Sequence, residues 1–140
     1  MPELLIVRGW PGAGKTTFAQ AYVGEFSYAH FEADMYMARS GTYQFKCEDL
    51  APAHAWCQAQ TDNAMMHGLN VVVSNTFLTL GEMNVYLAMA RRHGYTVKIK
   101  TLHGRYGSVH GVPVEKQRQM ESRLQELNQQ WLLSHNAMEA

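Results

Sequence analysis

No apolar stretch in this sequence approaches the ~20 residues that a bilayer-spanning helix needs. Met1-Pro2-Glu3 runs directly into a strand-like segment, without the basic and apolar tracts of a signal peptide. The expectation is a cytoplasmic protein that makes no membrane contact. Cysteine is scarce: Cys47 and Cys57 are ten positions apart and fit neither a zinc nor a redox spacing, so reduced thiols are expected. Charge is sparse and balanced, with 17% Asp, Glu, Lys and Arg and a formal net charge of +0. That balance excludes general electrostatic adhesion to nucleic acid, so any such contact must be local. Repeats, linkers and low-complexity tracts are also missing.

What remains is 46% hydrophobic over 140 residues, enough to bury one core, and 1–140 reads as one domain. Leu4-Leu5-Ile6-Val7 is a continuous apolar run bounded by Gly9 and Pro11, as in a strand buried on both faces. The pattern then predicts a helix over 15–24 with Phe18, Ala19, Tyr22 and Val23 inward, a strand over 27–31 and a loop over 39–46. A helix over 49–67, with Met65 and Met66 inward, is closed by Gly68. Asn70 to Asn75, carrying Val71-Val72-Val73, reads as a central strand. A helix over 79–93 closed by Gly94 and a strand over 95–102 follow. After the glycine-rich loop 103–113, Met120, Leu124, Leu127 and Trp131 mark one face of a final helix beginning near Pro113 and fraying from about Ser134. Strands alternating with helices imply an α/β domain with a mostly parallel sheet.

Gly9-Trp10-Pro11-Gly12-Ala13-Gly14-Lys15-Thr16 matches G-x4-G-K-[ST], with a strand before it and a helix after it. Glycines let the backbone wrap phosphates closely, and the helix N-terminus adds partial positive charge. Gly9, Pro11, Gly12, Ala13, Gly14, Lys15, Thr16 and the following Thr17 are therefore the candidate ATP-binding residues. Lys15 is placed to reach the β- and γ-phosphates, and the Thr16 hydroxyl to bind Mg²⁺. A phosphate loop does not specify the reaction. Motors and switches carry an acidic pair at the end of a central strand, whereas this strand ends Val73-Ser74-Asn75. The chain is also short for a motor's added helical domain, which favours a kinase.

A kinase needs a carboxylate beside the acceptor hydroxyl. Asp34 follows the second strand, at the sheet edge where α/β proteins bind ligands; it reads equally as a helix N-cap. Glu32 is the weaker candidate. Arg105, in the glycine-rich loop, is the candidate lid cation that stabilises charge on the transferred phosphoryl group, the alternative being a solvated arginine. His110 shares that loop as a lesser phosphate or substrate contact.

Taken together with the phosphate loop, Glu32-Ala33-Asp34-Met35-Tyr36, Ala53-His54-Ala55-Trp56-Cys57, Ser74-Asn75-Thr76, Glu82-Met83 and His110-Gly111-Val112-Pro113 resemble the polynucleotide kinase-type P-loop kinases. That family includes the kinase domain of bacteriophage polynucleotide kinase and many small phage proteins labelled AAA ATPases. The resemblance covers about residues 3–130 and implies a four-stranded parallel sheet flanked by helices, with a short arginine-bearing lid. It places Asp34 on the general base, Lys15 and Thr16 on the phosphate and magnesium residues, and Arg105 near the lid arginine, although its spacing to His110 is longer than usual. Two departures fall on the acceptor side. Met37 stands where the 5′-end kinases have an arginine, with Arg39 two residues on, and Ser74 stands where an aspartate is usual. The implied reaction is transfer of the ATP γ-phosphate to a hydroxyl on nucleic acid, most readily DNA. The acceptor is either a hydroxymethyl group of a modified base such as 5-hydroxymethyluracil, or a 5′-hydroxyl end. A small-molecule or nucleoside kinase and a non-catalytic nucleotide-binding module are the alternatives.

Overall fold

Strand β1 (Glu3–Arg8) places the apolar run Leu4 to Val7 at the centre of the molecule, fully buried on both faces. The computed structural model describes residues 2–107 and 111–140. Helix α1 (Lys15–Phe26) follows the phosphate loop, then β2 (Ala29–Phe31) and the short α2 (Asp34–Met37). Next come α3 (Leu50–Met66), β3 (Val71–Ser74), α4 (Asn84–His93) and β4 (Thr96–Thr101). Single 3-10 turns at Cys47–Asp49 and Leu80–Met83 lead into α3 and α4. The chain closes with α5 (Val114–Arg123), α6 (Gln129–Ser134) and β5 (Ala137–Glu139).

The sheet order is β2-β3-β1-β4-β5, and each neighbouring pair is parallel. Because successive side chains alternate faces, β1 feeds two cores. Leu4 and Ile6 join Val71, Val73, Val97 and Ile99 against α3, α4 and α6. Leu5 and Val7 join Val72 on the opposite face, under Ala19, Phe18 and Tyr22 of α1. A third small cluster, Ala33, Met37 and Ala53 with Tyr36 and Tyr43, seats α2 on α3.

The expected α/β architecture is present, with corrections. The sheet has five strands, not four. Residues 137–139, expected to be frayed, are β5, paired with β4 from Val97↔Ala137 to Ile99↔Glu139. The single helix expected after Pro113 is two. Its break follows from Gln125, whose backbone N–H donates to Leu78 O at 2.7 Å and whose side-chain oxygen accepts from Leu80 N at 2.8 Å. Leu127 and Trp131 still pack on the large core, while Met120 faces the cavity described below. Val23 and Met66 are exposed, because their helices bury Ala19 and Met65 instead.

Candidate active site

The phosphate loop leaves the carboxyl end of the central strand, where Gly9 N donates to Thr76 O at 3.1 Å. Gly12 and Gly14 have φ of 82° and 94°, which L side chains rarely adopt. A Cβ on Gly12 would sit 2.8 Å from the Gly107 carbonyl oxygen, so only glycine fits between the loop and the segment above it. That segment, 103–107, is tied down by Trp10 Nε1–H to Gly104 O at 2.8 Å and by Tyr106 N–H to Gly12 O at 2.9 Å. From α5, the Gln117 side chain donates to Pro11 O at 2.6 Å.

A cavity of about 890 Å³ opens over this loop. Pro11 through Thr17 line it together with Asp34, Met37, Tyr43, Phe45, Leu50 and His54. The phosphate-loop candidates other than Gly9 thus share one space with Asp34. Gly9 sits below, its Cα hydrogens facing the Leu102 carbonyl so closely that a Cβ would lie 2.6 Å from that oxygen. Lys15 Nζ–H donates to Trp10 O at 3.0 Å. Burial lowers the Lys15 pKa, while the charges of Asp34 and then Glu32 oppose that shift and favour the ammonium.

Asp34 opens α2. Asn75 positions it by accepting from Ala33 N at 2.9 Å. The Tyr43 hydroxyl donates to Asp34 Oδ1 at 3.4 Å, and burial followed by the Asp34 charge pushes the phenol up to about 12. Tyr43 therefore stays a neutral donor beside Asp34 at physiological pH.

Glu32, at the end of β2, reaches across to the start of α1. The Thr16 hydroxyl donates to its carboxylate, at 3.0 Å to Oε2 and 3.2 Å to Oε1. Ser74 Oγ–H donates to Glu32 Oε2 at 2.7 Å, and His30 Nε2 lies 2.7 Å from Ser74 Oγ. A hydroxyl has one proton. Because Ser74 gives its proton to Glu32, His30 must donate from Nε2, which fixes its tautomer. Burial alone would raise the Glu32 carboxyl; the bonds from His30, Ser74 and Thr16 outweigh it and hold the group below the ordinary range.

Among the described residues, no cluster of three or more His, Cys, Asp or Glu side chains is placed to hold a metal by itself. The Thr16 hydroxyl, which lines the cavity, and the Glu32 carboxylate bonded to it from behind are hard oxygen donors. That set fits Mg²⁺ held jointly with nucleotide phosphates.

Arg105 does not line the cavity. Its guanidinium pairs with Glu121 Oε1 at 2.6 Å and lies over the Trp10 ring, 4.8 Å from the centroid. Its neighbour Tyr106 does line the cavity. His110 lies outside the described residues. Sequence reasoning gave no site role to Tyr106, His54 or Lys116, all of which line the cavity. Tyr106 carried a signal as an aromatic residue inside the glycine-rich loop, and His54 as part of the segment Ala53-His54-Ala55-Trp56-Cys57.

The model of a family described as AAA domain matches residues 4–105. Human NEDD4-binding protein 2 is 31% identical over 124 residues, which is 81% of this chain and 7% of that protein. A candidate bifunctional polynucleotide phosphatase/kinase of Acanthamoeba polyphaga mimivirus is 28% identical over 93 residues, 66% of this chain and 18% of that one. This chain therefore spans only a small part of either relative. Among solved structures, a gluconokinase from Sinorhizobium meliloti 1021 superposes with a TM-score of 0.66 at 18% identity, covering 99% of this chain and 81% of that one. The Pnkp1/Rnl/Hen1 complex gives 0.62 at 18% identity, covering 91% of this chain and 41% of that one. At these identities the structures share the fold.

Proposed function

The chain belongs to the AAA domain family, and on that premise we propose that it transfers the γ-phosphate of ATP to a hydroxyl carried by nucleic acid, foremost a hydroxymethyl group on a modified base such as 5-hydroxymethyluracil in DNA. The observation that carries this reading is the shared cavity, which the phosphate loop and Asp34 both line. Asp34 accepts the proton of the acceptor hydroxyl as its oxygen bonds to the γ-phosphorus. The bond from that phosphorus to the bridging oxygen breaks, and ADP leaves. Lys15 releases the Trp10 carbonyl to reach the phosphates. Mg²⁺, which Thr16 and Glu32 would help to hold, would supply positive charge to the transferring phosphoryl group. Similarity to the mimivirus polynucleotide phosphatase/kinase candidate supports nucleic acid as the acceptor class.

The base, rather than a 5′ end, is favoured by the cavity wall beside Asp34. Met37, Tyr43, Phe45 and Leu50 give it an apolar and aromatic lining suited to a flat pyrimidine. Arg39, which follows Met37 closely in sequence, lies 3.9 Å over the Tyr36 ring and reaches Asp49 at 3.5 Å rather than lining the cavity. A base in duplex DNA would have to be flipped or locally unpaired to reach Asp34. The test is γ-labelled ATP with Mg²⁺ and, separately, hydroxymethylated DNA, plain 5′-hydroxyl DNA, nucleosides and gluconate. Internal label on the modified DNA supports the reading. Label on plain 5′ ends alone moves the acceptor to the end, and label on a small molecule alone overturns nucleic acid as the substrate.

A further inference from the structure

A magnesium–nucleotide site in a P-loop protein ordinarily draws on the loop hydroxyl and on a carboxylate at the end of a neighbouring strand. In this chain β3, adjacent to β1, ends in Ser74 and offers no carboxylate. The carboxylate at the phosphate-loop hydroxyl comes instead from one strand further out: Glu32, immediately after β2, takes the Thr16 proton. We propose that Glu32 is the carboxylate of the magnesium–nucleotide site, oriented by Ser74 and, behind it, His30. The proposal rests on the nucleotide-binding part of the reading above.

Three observations set this role apart from general base. Glu32 is absent from the cavity wall to which Asp34 belongs. Its Oε2 is already engaged by Ser74, at the end of β3, and by Thr16, at the start of α1. The hydroxyl of Thr16 gives its single proton to Glu32, which leaves the oxygen lone pairs for a cation. The residues behind Glu32 are arranged to hold it in place. The His30 and Glu32 side chains are 5% and 13% exposed, and the chain of donors runs one way, from His30 Nε2 to Ser74 Oγ to Glu32 Oε2. Such outer partners fix a ligand's orientation and modulate metal affinity. Ser74 is then the adaptor that lets a carboxylate on β2 replace one on β3.

The test measures metal, not turnover. Mn²⁺ binding to the protein–ADP complex is followed by electron paramagnetic resonance of the free ion, alongside ADP affinity in EDTA. Glu32→Gln should weaken Mn²⁺ binding in the ADP complex by about ten- to a hundredfold, with metal-free ADP affinity preserved. Ser74→Ala, which keeps the carboxylate but removes its holder, should give a smaller loss in the same direction. Glu25→Gln, an exposed charge on α1, should change neither. Should Glu32→Gln fail to fold, Ser74→Ala and Glu32→Asp carry the test. Wild-type Mn²⁺ affinity in folded Glu32→Gln, or in both substitute variants, overturns the proposal. A wild-type protein that binds no Mn²⁺–ADP removes the nucleotide reading and this proposal with it. Normal Mn²⁺ behaviour without label on any nucleic acid removes only the acceptor assignment.

Discussion

Replacing Arg8 by Met tests whether a buried cation holds the floor of the site. Arg8 is fully buried at the carboxyl end of β1, directly before the phosphate loop. Its Nε–H donates to Phe77 O at 2.9 Å, Nη2–H to Leu78 O at 3.1 Å and Nη1–H to Thr101 Oγ1 at 3.2 Å. Burial lowers the guanidinium pKa, and the Glu82 charge opposes that shift. Methionine keeps much of the volume and removes every donor. The Leu78 carbonyl retains Gln125 N at 2.7 Å, so its loss is about 0.5–1.5 kcal/mol. The Phe77 carbonyl loses the donor recorded to it, at roughly 1–3 kcal/mol for an orphaned buried acceptor. Relief from burying a charge offsets part of this, leaving a destabilisation of about 2–3 kcal/mol. Phe77 also has a φ of 44°, a strained conformation for a non-glycine residue. Without the guanidinium it is free to relax, which loosens the Thr76 carbonyl under Gly9. Urea unfolding followed by tryptophan fluorescence reads the first effect, and ADP titration reads the second. Arg8→Lys should recover less than half of the loss, because one ammonium cannot span acceptors arranged for a planar fork. An Arg8→Met midpoint within about 0.5 kcal/mol of wild type would refute the reasoning.

Asp34→Asn should retain ATP affinity and lower the transfer rate by roughly a hundredfold or more; a fall in folded protein with an unchanged rate per folded molecule would make Asp34 a helix-starting residue only. Arg105→Ala should lower kcat more than it raises KM for ATP, since in the unliganded chain this guanidinium is held by Glu121 and can meet phosphate only after leaving it. An effect confined to KM would make it a ground-state contact. Between α3 and α4, hydrogen bonds from His93 and then Arg92 hold the Asp62 carboxyl below its ordinary 3.8. A depressed carboxylate pKa stabilises the fold above its unfolded value, and that stabilisation is lost as pH falls through the folded value. The melting temperature of Asp62→Asn should therefore lie slightly below wild type at neutral pH, and the gap should close as pH falls below the ordinary carboxylate range; a gap that widens on acidification would contradict the assignment.

The nucleotide half of the site was legible because its signals are local. A strand, eight loop residues and a helix occur in one run from Leu4 to Thr17, so pattern and spacing identify them without tertiary information. Asp34 was legible as a position, the first carboxylate beyond the second strand's edge. The illegible parts depend on long-range partners. Gln125 stops a helix only because Leu78 and Leu80, some 45 residues earlier in sequence, present a carbonyl and an amide to it. Ala137-Met138-Glu139 is too short and too mixed to announce a strand; the exposed edge of β4 recruits it. Glu32 read as a second-choice base because its meeting with Thr16 and Ser74 requires β2 and β3 to be neighbours. The pairing of Arg105 with Glu121 was illegible because Glu121 lies sixteen positions away, on a helix whose placement the sequence does not reveal.

Strand β1 is flanked by β3 on one side and β4 on the other. In hydrogen-exchange terms, its amides can meet solvent only by opening of the whole sheet, whereas the roof above the phosphate loop rests on a few bonds from residues 104–107 and Gln117. The floor of the cavity is thus tied to the most protected part of the fold, and the roof to the least, so exchange of the roof amides should run ahead of global unfolding while that of β1 should not.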